Sequence, residues 1–316
     1  MLVGRAAHVA AIRAAGLDVE GVCGGFNATP HAEERLGTRP ELVLLTVKTP
    51  DIATALRENI AVLQDAPVLV LQNGLAADEI AASVVPAPQL VSGIVSMHAQ
   101  YLVPGRVLLL QSEGLLIGRP NGSVDELVER IRNVLDRAVP TDVTANICGA
   151  RWTKLIVNLN DVLAALTDRS FAQLYKDPVL RVLAVGLMRE GLAVAQRCGI
   201  RLESLPGTSV PLVRLIGYLP DILAGAVAAR RAVRVETHWP LKGSIWQSVA
   251  RARPTEVEYL NGEVVRIGRE VGVATPLNEG VMTLLRRVES DRRHMTAREI
   301  EHALSSQRAD ANVTRA

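Results

Sequence analysis

The chain has 316 residues, 48% of them apolar and 22% charged; 35 basic and 33 acidic side chains leave a formal charge of +2. This composition excludes a disordered or collagen-like chain and supplies a sizeable core. Balanced charge and few aromatics (3 Trp, 4 Tyr, 2 Phe) exclude a broad nucleic-acid or anionic-lipid footprint and a base-stacking platform.

In chain order, Leu2-Val3-Gly4 reads as the end of a strand and 6–15 as a helix. Residues 41–47 (ELVLLTV) form a continuous apolar run of buried-strand type. Asp51 stands at an N-cap position, with a helix running on to Leu63. Residues 67–71 (PVLVL) give the next buried strand, then Gln72-Asn73-Gly74 turns into a helix near 78–82. Three short strands are expected in 90–118, broken at Pro104-Gly105 and Glu113-Gly114, followed by a helix at 124–135 and a strand at 139–143. Beyond Asn146, 3.6-residue periodicity predicts helices at 152–166, 178–198, 244–252, 255–271 and 278–288. The proline-rich 203–241 reads as loops around one or two short helices, and the polar tail after Ser290 is expected to fray.

This pattern predicts an α/β fold: a Rossmann-like, mostly parallel sheet in 1–145, an all-helical domain in 146–290 and a polar tail in 291–316. No apolar run long enough for a transmembrane helix and no signal-peptide core stands out. Three scattered cysteines, Cys23, Cys148 and Cys198, form no C-x-x-C and fit a reducing cytoplasm; Cys148 and Cys198 read as small core residues. No histidine has metal-ligand spacing, so no metal is expected.

Three groups of residues could carry chemistry. Lys154 and Asn158 lie one helical turn apart, with Leu155, Ile156 and Val157 on the buried side. Such a lysine either snorkels to solvent or projects its ammonium into an interdomain cleft. In residues 243–262, Ser244 is a candidate cap or a hydroxyl donor to a substrate anion. Glu256 is either a carboxylate favoured by a helix dipole or one held near Lys154. Asn73 follows a buried strand at its carboxyl end, where ligands of open α/β sheets bind, although Asn-Gly also makes ordinary turns. Lys48 and Arg5 end strands in the same way, and a cation there suits a ribose 2′-phosphate, hence NADP.

The order of these segments resembles the ketopantoate reductase (2-dehydropantoate 2-reductase) family. The likeness rests on V-K-T-P-D (47–51), L-Q-N-G-L (71–75), P-G-R-V with S-E-G-L-L-I-G (104–118), W-T-K-L-I-V-N (152–158), the block from Ser244 to Gly262 and V-A-T-P-L-N-E (273–279). It covers residues 1–289. It implies reduction of 2-dehydropantoate to pantoate with NADPH, in pantothenate biosynthesis, by a cytoplasmic enzyme. Its partner would be a small 2-oxo acid, with neither nucleic acid nor membrane, and a homodimer is the candidate assembly. By this likeness Lys154 is the catalytic lysine and Glu256 its carboxylate partner. Asn158, Ser244 and Asn73 bind substrate. Arg5 and Lys48 meet the adenosine phosphate end of NADPH, and Asn73 also faces its nicotinamide.

The sequence departs from the family pattern at three places. The usual opening strand and G-x-G-x-x-G turn are absent ahead of Arg5, which leaves two alternatives open: a start called too late, or a truncated non-catalytic remnant. A second Asn eight residues after the lysine is replaced by Val162, with Asn160 and Asp161 beside it, and the Asp usual after W-Q is Ser248. These changes leave a reductase of the same scaffold acting on another oxo acid or an imine as a further alternative.

Overall fold

Period-two alternation decides the layers of the first half. The computed structural model describes residues 1–101, 103–236 and 239–313. It divides into two units, Met1–Cys148 with Leu205–Gly207, and Gly149–Ser204 with Thr208–Ala316. The elements of unit 1 are β1 (Leu2–Val3), α1 (Ala6–Ala15), β2 (Leu17–Gly21), β3 (Phe26–Ala28), β4 (Ala32–Glu33), β5 (Val43–Leu45), α2 (Ile52–Leu63), β6 (Val68–Val70), α3 (Ala77–Ala82), β7 (Leu90–Gln100), β8 (Arg106–Gly118), α4 (Glu126–Leu135) and β9 (Thr141–Val143).

Seven strands form one sheet in the order β3-β2-β8-β7-β6-β5, with β9 beside β8. Pairing is parallel except between β2 and β3 and between β7 and β8. Val68 and Val70 face a cluster with Ile52, Leu56 and Leu63 of α2 and Ala77 and Ala81 of α3. Leu69, between them, faces the opposite cluster with Val128 and Ile131 of α4. Helices therefore cover both faces of the sheet, as the continuous apolar runs require. The remaining strands, β1 and β4, pair in parallel as a separate two-stranded sheet, covered by Val9 and Ile12 of α1.

Two expectations are corrected here. The stretch 90–118 is one long hairpin, because antiparallel pairing of β7 with β8 runs through Glu113-Gly114 and absorbs two register shifts as bulges. Asp51 makes no side-chain cap on α2; its carboxylate pairs with Arg5 at 3.3 Å instead.

Unit 2 is helical: α5 (Ile147–Asn158, whose first turn contains the boundary), α6 (Asp161–Thr167), α7 (Phe171–Lys176), α8 (Pro178–Arg197), α9 (Val210–Tyr218), α10 (Asp221–Val235), α11 (Gly243–Ala250), α12 (Asn261–Val271), α13 (Pro276–Asp291) and α14 (Ala297–Val313). The 20-residue α8 is its axis and packs against α7, α9, α10, α12, α13 and α14. Its start is fixed by Pro178 in the first turn and by Asp177, which accepts from the Val179 and Leu180 N–H groups.

Periodicity mispredicts the breaks in this unit. The expected helix 152–166 is two helices, α5 and α6, and the expected helix 255–271 is a 3-10 turn at Val257–Tyr259 followed by α12. Residues 203–241 hold two full helices, α9 and the 15-residue α10. The tail does not fray at its start: Ala297, Ile300 and Leu304 are buried at helical spacing, and α14 packs on α13 and α8. A Thr296–Glu299 capping box starts α14, and the Thr296 N–H is the largest influence holding the Glu299 carboxyl down at about 2. Cys148 is exposed rather than a core residue. Among the described residues, no helix is long and apolar enough to cross a membrane and no cluster of side chains could hold a metal ion.

Candidate active site

In unit 1 the three candidate cofactor residues follow strand ends. Arg5 lies two residues beyond β1, at the N-cap of α1, whose first turn carries no acidic side chain. Lys48 precedes the 3-10 turn Thr49–Asp51 beyond β5. Asn73 follows β6 and is half-buried. The loops after β5 and β6 are tied together: Gln72 Nε2 donates to the Leu45 and Val47 carbonyls, both at 2.9 Å, and Thr49 Oγ1 donates to the Asn73 carbonyl at 3.5 Å. Arg5 reaches the same turn through Asp51. Parallel strands bring these loops to the same edge of the sheet, where the amide and the two cations have no regular ladder to satisfy.

In unit 2 the centre is the break between α5 and α6. Leu155 and Ile156 are fully buried, which fixes the rotation of α5; on the same helix Asn158 is buried and Lys154 half-buried. α8 can approach closely at Gly191, where a β-carbon would lie 2.7 Å from Leu159 Cδ1. The break frees backbone groups that need partners. Asn261 Nδ2 donates to the Leu159 carbonyl at 3.2 Å and to Asn278 Oδ1 at 2.9 Å. Asn278 in turn donates to Glu190 Oε2 at 2.7 Å, and that carboxylate accepts from the Leu277 and Asn278 N–H groups at the start of α13. The asparagines of E-Y-L-N-G and T-P-L-N-E thus brace the break. Asn160 Nδ2 donates to the Tyr175 hydroxyl at 2.9 Å, while its buried Oδ1 has no partner among the described residues.

The break places Asp161 at the start of α6, buried against α11. Its Oδ2 accepts from the Ser244 N–H at 3.3 Å and from Ser244 Oγ at 3.5 Å. The carboxylate therefore sits at the positive end of α11, whose own N-cap residue, Lys242, supplies no side-chain cap. The hydroxyl expected to donate to a substrate anion donates to Asp161 instead. At the other end of α6, Asp168 Oδ1 accepts from Lys242 Nζ at 2.6 Å and Trp246 Nε1 at 2.7 Å. Burial raises the Asp168 carboxyl, but these bonds and the Lys242 charge outweigh it and hold the group below the ordinary range. Two aspartates of one short helix thus hold the start of α11.

Burial pushes the Lys154 amine below the ordinary lysine range, and the negative charge of Asp161 opposes that shift. Glu256 is also buried, immediately before the 3-10 turn Val257–Tyr259 rather than in the first turn of α12. The residue that sequence reasoning missed is therefore Asp161. Its only signal was position: it stands next to Val162, where an asparagine is usual.

Gly243 has φ +78°, and a β-carbon there would lie 2.8 Å from the Asp161 carboxyl carbon. Gly243→Ala is expected to cost about 1–2 kcal/mol in backbone strain alone and to push the carboxylate away from Ser244. Urea unfolding checks the first effect; wild-type stability would contradict it.

A sheet with helices on both faces and an all-helical unit define a Rossmann-like, two-unit protein, with polar loops at the strand ends and an isolated amine in the helices. The chain matches the family model "Ketopantoate reductase PanE/ApbA" over residues 1–122 and that family's C-terminal model over 146–289. It is similar to a 2-dehydropantoate 2-reductase of Pyrococcus horikoshii (29% identity, 92% of this chain and 89% of the relative) and to one of Halobacterium salinarum (30% identity, 79% and 77%). Among solved structures it is similar to a PanE/ApbA family ketopantoate reductase from Ralstonia eutropha JMP134, with a TM-score of 0.75, 25% identity and coverage of 93% and 91%. The fold is also that of a D-mandelate dehydrogenase solved with NADH and anilino(oxo)acetate, with a TM-score of 0.74, 21% identity and coverage of 91% and 89%. The chain belongs to the ketopantoate reductase family.

Proposed function

We propose that this protein reduces a 2-oxo acid, foremost 2-dehydropantoate, to the 2-hydroxy acid with NADPH. The observation that carries the reading is Lys154: a half-buried amine with a depressed proton affinity, one turn from the buried amide of Asn158. When bound, the reduced nicotinamide supplies a hydride to the C2 carbonyl carbon. The carbonyl π electrons then move onto oxygen, and that oxygen needs a proton. Lys154 holds the proton on Nζ, and its charge stabilises the growing alkoxide before the proton passes to it. An amine that binds its proton weakly gives it up at less cost, provided it is still charged when the ketone arrives. Asn158 and Ser244 bind the polar ends of the substrate, and Glu256 aims the ammonium. Asn73 is the amide for the nicotinamide and substrate on the side of unit 1.

Arg5 and Lys48 fit the adenosine phosphate end of NADPH. Arg5 stands at the start of α1, where open N–H groups and a guanidinium both favour a phosphate. Arg5→Ala is therefore expected to raise KM for NADPH about tenfold or more, the loss of one charge-assisted phosphate contact, with little change for NADH. Equal effects on both cofactors would reject the 2′-phosphate role.

The test of the reading is NADPH consumption by the purified protein with 2-dehydropantoate and a panel of other 2-oxo acids. Turnover of 2-dehydropantoate with stoichiometric pantoate supports it, and binding of NADPH without turnover of any 2-oxo acid contradicts it. A second reading, a related small oxo acid or an imine as substrate, is favoured by Asp161, an acidic group at Ser244. The same panel separates the two.

A further inference from the structure

We propose that Asp161 is a positioning residue of this site, which keeps Lys154 charged and turns the Ser244 hydroxyl through one buried carboxylate. The inference rests on the reading of Lys154 as proton donor and goes beyond it, because the charge partner that reading uses is Glu256.

The argument begins with the helix break. Because α5 stops at Asn158 and α6 starts at Asp161, the carboxylate lies at a helix start and not on a continuous helical face. There it is buried, against Gly243, and accepts both the N–H and the hydroxyl of Ser244. A buried carboxylate persists as an anion only where donors and positive charge compensate its desolvation. The start of α11 supplies the donors, and the Lys154 ammonium supplies the charge. The attraction is mutual, so the anion holds the proton on Lys154 against burial. With its hydrogen on Asp161, the Ser244 oxygen offers lone pairs, and so accepts from a substrate hydroxyl rather than donating to a carboxylate.

The other charged and titratable side chains of this region act elsewhere or are neutral. Tyr175 on α7 is pushed up by burial and stays a phenol, with Arg231 on α10 acting on it. Asp168 and Lys242 pair with each other. Arg151 lies buried one turn earlier on α5, and Glu256 precedes the 3-10 turn before α12. Of these, the charge acting on the Lys154 amine is that of Asp161.

The experiment is competitive labelling of Lys154 with acetic anhydride, read by mass spectrometry across pH, in the wild type and in Asp161→Asn. It needs neither substrate nor cofactor. Removal of the anion is expected to raise labelling of Lys154 at pH 8 about 3–10-fold, with other lysines unchanged. In the same variant kcat/KM for the 2-oxo acid is expected to fall and its basic limb to move to lower pH. Asp161→Glu, which keeps the charge, is expected to label like the wild type. If Asp161→Asn does not fold, Asp161→Ser removes the same charge while keeping a small oxygen to accept from the start of α11. Unchanged labelling in a folded neutral variant would overturn the proposal even if the protein reduces 2-oxo acids. Raised labelling in a protein that reduces none would leave the positioning role standing and remove the proposed reaction.

Discussion

Lys154→Ala is expected to lower kcat about 10²–10⁴-fold, the range for loss of a positioned general acid, while KM for the oxo acid changes far less. The expectation follows from where charge appears. The ketone carries little negative charge in the ground state, so the ammonium binds the alkoxide-like transition state more strongly than the substrate. Stability is expected to move the other way. A lysine whose folded proton affinity is depressed makes the charged form a cost of folding. The cost is fully felt at neutral and lower pH, and it is relieved as pH rises through the folded value towards the unfolded one. Lys154→Met, which keeps the apolar stem and removes the charge, is therefore expected to melt no lower than the wild type at pH 7. A variant that loses both stability and activity would make Lys154 a structural residue.

Leu159→Ala is expected to destabilise the protein by about 2–5 kcal/mol in urea unfolding, the range for deleting a buried leucine. Leu159 is fully buried, and its side chain lies in the space that Gly191 leaves on α8. Its carbonyl is the one that Asn261 holds. The cavity would form at the break that sets the direction of Asp161, so kcat/KM of the folded fraction is expected to fall as well. A loss below about 1 kcal/mol would mean that the site collapses without cost, and that the break is not held by this packing.

Much of unit 1 was legible because its signals are local. The runs at 41–47 and 67–71 can bury both faces only as internal strands, and the structure places β5 and β6 inside them. Strands β2 to β4 were not legible: Leu17–Gly21 and Phe26–Ala28 are short, partly exposed and polar in places, and they exist through pairing with each other and with β8. In unit 2 a 3.6-residue pattern continues across Leu159 and Asn160, because both sides of the break are buried; nothing in the period marks where the helix stops. What stops it is remote, an asparagine about a hundred residues later that takes the freed carbonyl. The α7 start was readable in principle, since Ser170 and Gln173 form a capping box. The role of Asp161 was not readable, because it depends on Gly243 and Ser244 arriving from a distant segment.

The most direct test of Lys154 as proton donor is chemical rescue of Lys154→Ala by small primary amines. Added ethylamine is expected to restore NADPH-dependent reduction of 2-dehydropantoate with saturable dependence on the ammonium form, and amines of differing basicity should move the pH optimum accordingly. A Lys154→Ala protein that binds NADPH, keeps its fold and gains no rate from any amine would contradict the account, as would one that turns over at the wild-type rate without them.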